Sequence, residues 1–252
     1  MVCLAHMQKV ALVTGSSRGI GRAIARRLHS EGYEVIVTYC YDKVAGERVY
    51  NEIEKAGLLL ELDGGNEKSV SEAVKAVSQK YGHLDVLIVS GMHDRPHSFR
   101  ETSYEDWKFV LNSKLDSSFL VPKMFYDLLK KSKSPSIILN TSSVVQTPQI
   151  GALAYTIASA GVESLVKYLA VELAPEGIRV NAICPGTTRT DNWIGFGLED
   201  DAMWGRFAKN NPMGRVPTPE DIADGVSYLV SDKAKYINGL FLYMDGGNRY
   251  KD

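Results

Sequence analysis

A single α/β domain, a doubly wound parallel sheet with helices on both faces, is the fold class this sequence predicts. Three observations predict it. Seven short apolar runs recur along the chain, segments of helical period separate them, and a glycine-rich turn follows the first run. The length of 252 residues, with 44% hydrophobic and 23% charged side chains, is enough for one sizeable core. No internal repeat, low-complexity tract or linker interrupts it, so residues 1–252 read as one domain.

The runs are "KVALVTG" 9–15, "YEVIVTY" 33–39, "LLLELD" 58–63, "LDVLIVSG" 84–91, "PSIILNTS" 135–142, "IRVNAICPG" 178–186 and "GLFLYMDGG" 239–247. Each is rich in apolar residues, several of them β-branched, as expected of strands buried in a parallel sheet. Between them, "GIGRAIARRLHSEG" and "NEKSVSEAVKAVSQKYG" carry apolar residues at helical spacing. Pro122 falls inside a helical segment and predicts a kink there.

A formal net charge of −1 and the lack of a long Lys/Arg cluster argue against nucleic acid or an anionic membrane as partner. A small molecule is the expected ligand. Cys3, Cys40 and Cys184 are far apart, which predicts neither a disulfide framework nor a zinc site and fits a reducing, cytoplasmic compartment. The leader "MVCLAHM", residues 1–7, is too short and too weakly apolar for a signal peptide. It is expected to be disordered or a cloning remnant, with Met7 as the natural start.

"VTGSSRGIGRAIARRL" places Gly15, Gly19 and Gly21 directly after the first run and at the opening of a helix. Glycines there allow a tight turn and let the backbone approach a pyrophosphate, whose charge rests on the free N–H groups of the helix start. The placement predicts a Rossmann-type dinucleotide site made by Thr14, Gly15, Ser17, Arg18, Gly19, Ile20 and Gly21. The pattern T-G-x-x-x-G-x-G resembles the classical short-chain dehydrogenase/reductase family. So do "GHLDVLIVSG", "TSSVV", "YTIASAGVESLVKYLAVELAPEGIRVNAICPGTTRTD", "NPMGRVPTPEDIADGVSYLVSD" and "YINGLFLYMDGG", in that order along the chain. The 3-oxoacyl-carrier-protein-reductase-like members are the most similar in appearance.

The resemblance implies a nicotinamide dinucleotide. NADP(H) is the expected form, with NAD(H) as the alternative. Family members specific for NAD carry an Asp at the end of strand two, and here that position is Tyr39. Arg18 corresponds to a cation that meets the 2′-phosphate, although Asp42 just beyond strand two favours NAD. By the same resemblance Asp63 meets the adenine edge and Thr190 holds the carboxamide. Gly91, Pro185, Gly186 and Thr188 belong to the segments that border the nucleotide.

In the family a tyrosine exchanges a proton with the substrate oxygen, a serine holds that oxygen, a lysine four residues after the tyrosine lowers its pKa, and an asparagine on an earlier helix completes a relay. Tyr155 corresponds to the tyrosine. Ser143 corresponds to the serine, with Ser142 as the fallback. The remaining two members are absent: Ser159 stands where the lysine belongs, and Lys114 stands where the asparagine belongs. The Asn-Asn-Ala-Gly segment after strand four is replaced by Val89-Ser90-Gly91-Met92, with Met92 crowding the cofactor side.

An ammonium ~4 Å from a phenolate, at an effective dielectric near 20, is worth roughly 4 kcal/mol or about three pKa units. Its loss at position 159 therefore predicts one of three outcomes. The cation has moved, with Lys114 reaching Tyr155 from the facing helix, or Lys114 turns to solvent. In the first case the chain is an oxidoreductase, in which carbonyl reduction suffers least. The second outcome, drawn from the clustered departures and not from where Lys114 points, is a nucleotide-binding partner or scaffold subunit without redox activity. A third outcome is non-redox chemistry on the same fold.

Residues 190–212 occupy the place of the family's substrate lid, and Trp193, Phe196, Met203 and Trp204 are candidates for its wall or for packing against the body. His93, Asp94, Arg95 and His97 form a polar loop expected on the substrate side, and no metal site is expected there. Relatives commonly pair through the helices holding Lys114 and Tyr155, so a homotetramer or homodimer is implied.

Overall fold

In a computed structural model that describes residues 8–191, 193 and 200–251, each of the seven apolar runs contains one strand. These are β1 (Val10–Thr14), β2 (Glu34–Tyr39), β3 (Leu58–Glu61), β4 (Val86–Val89), β5 (Ser136–Asn140), β6 (Arg179–Pro185) and β7 (Phe241–Met244). They form one parallel sheet in the order β3-β2-β1-β4-β5-β6-β7. The order reverses direction between β1 and β4, and a ligand crevice opens at the carboxyl ends of strands at such a switch point. Thr14, the last residue of β1, fixes the switch: its Oγ1 accepts from the N–H groups of Ser90 at 3.0 Å and Gly91 at 3.2 Å, just past β4.

The helices are α1 (Gly19–Ser30), α2 (Lys43–Glu52), α3 (Glu67–Lys80), α4 (Tyr104–Leu111), α5 (Ser117–Leu129), α6 (Leu153–Glu172), α7 (Asp201–Asn210) and α8 (Pro219–Val230). Several start where the sequence supplies a capping side chain. Asp42, Asn66, Ser103 and Thr218 each accept from the first turn of α2, α3, α4 and α8. Thr218 and Asp221 complete a capping box.

Alternate strand residues feed two cores. On one face Leu12, Leu87, Ile137 and Val180 pack with Phe125 and Leu129 of α5 and Val162 and Val166 of α6. On the other, Val13, Val37, Ile88 and Ile183 pack with Ile24 and Leu28 of α1 and Ile222 and Val226 of α8. Phe125 is fully buried. Phe125→Ala is therefore expected to cost about 3–5 kcal/mol by loss of apolar burial and creation of a cavity, read as a lower midpoint in denaturant unfolding.

Between α4 and α5 the helix is irregular. The irregularity is a π turn, Asn112–Asp116, ahead of Pro122, which lies inside α5. An i→i+5 turn holds one more residue than an α turn and rotates the side chains after it, so it re-aims what it carries. What it carries is Lys114. No helix among the described residues is long and apolar enough to cross a membrane.

Candidate active site

The main crevice lies at the carboxyl ends of β1 to β5 and is walled on one side by the glycine turn. Thr14, Gly15, Ser17, Arg18, Gly19, Ile20 and Gly21 all border it, as predicted. Gly15 has φ +63°, and a Cβ there would collide with the backbone of Gly91, while a Cβ on Gly21 would collide with the Gly15 carbonyl. The turn and the end of β4 thus touch backbone to backbone. Thr190 sits beside Gly19, 3.3 Å from where a Cβ would be, and with Asp63 and Gly91 it also lines the crevice.

Four predicted cofactor residues lie elsewhere. The ring of Tyr39 packs over Gly46 of α2, so the crevice wall beyond β2 is formed by Cys40, Tyr41 and Asp42. Pro185 ends β6, and Gly186 and Thr188 follow it, with the Thr188 carbonyl accepting from Trp193 Nε1 at 2.8 Å; none of the three borders this crevice. Arg18 does stand at the β2 end, but its guanidinium is already paired with Asp42 at 3.0 Å.

Deeper in, the predicted catalytic residues converge. Lys114 is buried, leaving the solvent-facing alternative without support. Its Nζ donates to the Asn140 carbonyl at 3.0 Å and sits 4.8 Å from the centroid of the Tyr155 ring, within cation–π range. Burial pulls the Lys114 ammonium down to about 8, opposed by the negative charge of Asp94. Burial also raises the Tyr155 phenol above its usual value, partly offset by the neighbouring Ser142 hydroxyl.

Of the two predicted serines, Ser142 is the one whose hydroxyl acts to lower the Tyr155 phenol. Ser142 is the N-cap of the short 3-10 turn Ser143–Val145, and its neighbour Ser143 is buried as the first residue of that turn. The two serines are one residue apart in an extended-to-helical transition, so their side chains point differently. Ser159 is fully buried and turns its hydroxyl back onto the Tyr155 carbonyl at 2.7 Å, a local bond that any helical serine can make.

The polar loop after β4 is split between two jobs. His93 lines the crevice beside Tyr41, at the β2 end and not on the substrate side as predicted. The Asp94 carboxyl is raised by burial and lowered by its own neighbour's N–H and by Lys114. Arg95 is tied to Asp106 at 2.8 Å and lies 4.0 Å over the Phe109 ring, and His97 pairs with Ala152 ahead of α6. The described residues hold no cluster suited to a metal ion.

In the lid segment, Trp193 and Trp204 meet edge to face at 5.6 Å and Phe207 packs on both. Trp204 is buried in this cluster and Met203 is half-buried beside it. Phe196 and residues 1–7 lie outside the described residues. Sequence reading did not single out Asn140, although it ends β5 and lines the crevice, with its amide nitrogen on Ser90 Oγ at 3.2 Å. The rule that ligands meet strand carboxyl ends is the signal that points to it.

A parallel doubly wound sheet with a glycine turn at its switch point, and a tyrosine facing the crevice there, defines a dinucleotide-site oxidoreductase scaffold. The family model described as enoyl-(acyl carrier protein) reductase matches residues 15–249. Glucose 1-dehydrogenase 2 of Bacillus subtilis is 33% identical over 95% of this chain and 94% of its own length. The 3-oxoacyl-[acyl-carrier-protein] reductase FabG of Staphylococcus aureus is 34% identical over 96% and 98%. The structure of 3-ketoacyl-(acyl-carrier-protein) reductase from Brucella melitensis complexed with NADH superposes with TM-score 0.88 at 30% identity, covering 96% of this chain and 98% of that one. An actinorhodin polyketide ketoreductase with NADPH gives 0.88 at 28%, covering 96% and 97%. The chain belongs to the short-chain dehydrogenase/reductase family of oxidoreductases.

Proposed function

We propose that this protein reduces the carbonyl of a small or acyl-type substrate, with Tyr155 as the acid, Ser142 holding the substrate oxygen and Lys114 supplying the cation that position 159 lacks. The observation that carries this reading is the buried Lys114 Nζ, 4.8 Å from the Tyr155 ring centroid. Its charge favours the phenolate that forms as the proton leaves. With its phenol held above the usual value, Tyr155 rests protonated at neutral pH, the form that donates. The opposite reaction, which needs phenolate as base, is disfavoured by the same burial.

The crevice fits a nicotinamide dinucleotide, because Gly15, Gly19 and Gly21 leave room where a Cβ would meet neighbouring atoms. When bound, that cofactor supplies the hydride. Relatives with NADH and with NADPH are both among the similar structures. NADP(H) is the preferred form through Arg18, but a 2′-phosphate must displace or share with Asp42, so the preference over NAD(H) is small.

Exposed Phe119 on α5 and Tyr168 and Val171 on α6 support assembly into a homodimer or homotetramer. Native mass measurement reads this directly. The test of function is consumption of NADPH and NADH with a panel of ketones and acyl thioesters. Turnover on any carbonyl supports the reading. Tight nucleotide binding without turnover on the whole panel supports the non-redox partner, which the turned-away Ser159 hydroxyl favours.

A further inference from the structure

Tyr41 and His93 come from different loops, one following β2 and the other following β4, and β1 with its glycine turn lies between those strands. Neighbouring strands lie about 4.8 Å apart, so β2 and β4 are separated by roughly twice that. Yet the two rings meet, with centroids 5.0 Å apart at an interplanar angle of 47°. Both line the crevice. The side chains therefore lean towards each other over the route between the glycine turn and Asp63.

Core packing does not account for the pair. Tyr41 is 72% exposed, and His93 is exposed as well. Their positions are nevertheless held. The His93 N–H donates to Ser113 Oγ at 2.6 Å, its imidazole lies 6.5 Å from the Phe109 ring, and Asp42, the residue after Tyr41, is fixed as the cap of α2 and as the partner of Arg18. Atoms packed around the imidazole and the nearby Arg18 charge lower the His93 pKa, which favours the neutral ring that stacks. Two aromatic faces anchored on opposite rims, beside a guanidinium, form a seat for a flat heteroaromatic ring.

We infer that Tyr41 and His93 form an aromatic clasp that closes over the adenine of the bound dinucleotide and sets how fast it leaves. The inference rests on the proposed nucleotide binding, and it assigns a retention role to two residues that make no contact with the reacting atoms. Stacking on a nucleobase is worth enough that losing one ring raises the dissociation rate about tenfold.

The experiment is stopped-flow dissociation of NADPH, followed by its fluorescence, with equilibrium binding of ADP and of nicotinamide mononucleotide alongside. Tyr41→Ala and His93→Ala are expected to speed NADPH release about tenfold and to weaken ADP by a similar factor, leaving nicotinamide mononucleotide unchanged. Tyr41→Phe and His93→Phe are expected to stay near the wild-type rate, because each keeps a ring. Unaltered NADPH release in both alanine variants overturns the clasp. Equal weakening of ADP and nicotinamide mononucleotide also overturns it, by showing general loosening of the crevice. Failure of the wild-type protein to bind either NADPH or NADH overturns the nucleotide reading itself, and the clasp with it.

Discussion

Lys114→Met is expected to lower carbonyl reduction on the order of a hundredfold while leaving nucleotide affinity nearly unchanged. An ammonium 4.8 Å from the centroid of the ring that bears the developing charge, at an effective dielectric near 20, would contribute roughly 3 kcal/mol to the transition state. Methionine keeps the length and apolar stem of lysine, so the space between the π turn and α6 stays filled. It removes the charge and the bond to the Asn140 carbonyl. Steady-state rates with a fixed carbonyl substrate, set beside a nucleotide titration, separate the two effects. Loss in kcat with an intact Kd is the pattern expected of a group that acts on the chemical step. A near-wild-type rate removes Lys114 from the mechanism.

Tyr155→Phe is expected to cost more, about 10²–10⁴-fold in turnover, because it deletes the proton donor itself. The ring is retained, so Lys114 keeps its cation–π partner and α6 its packing. Thermal unfolding close to wild type would show that the loss is chemical. A variant that still turns over at a substantial fraction of the wild-type rate would place the acid elsewhere. By contrast Ser159→Ala is expected to change activity little, since the Ser159 hydroxyl is committed to the Tyr155 carbonyl one turn back.

The strands were legible because both faces of a central parallel sheet are covered. Val10–Thr14, Val86–Val89 and Arg179–Pro185 are buried throughout, and such runs stand out in any sequence. The glycine turn was legible for a steric reason: Gly15 and Gly91 are in backbone contact, so side chains are excluded there.

Less was legible where one residue of register decides the outcome. Tyr39 and Tyr41 are two apart, yet one ring lies over Gly46 and the other lines the crevice, because the chain leaves the strand between them. Ser142 and Ser143 differ in the same way at the entrance to a 3-10 turn. The relation of Lys114 to Tyr155 depends on the π turn, and neither helical periodicity nor Pro122 announces such a turn. Its presence made it possible for a lysine on α4's continuation to be aimed at a tyrosine on α6. The pairing of His93 with Tyr41 spans 52 residues of sequence, counting from 41 to 93, and only the sheet order brings them together.

The proposed mechanism requires an ammonium at Lys114 to support proton donation by Tyr155. Lys114 is charged below its value of about 8 and neutral above it, whereas Tyr155 stays protonated beyond its usual range. The most direct measurement is kcat/KM for carbonyl reduction from about pH 6 to about pH 10, with the protein's own titrating groups as the indicator. The rate is expected to hold at the acid end and to fall as the pH passes about 8. A rate that stays level through that pH, or that rises with it, would contradict that mechanism.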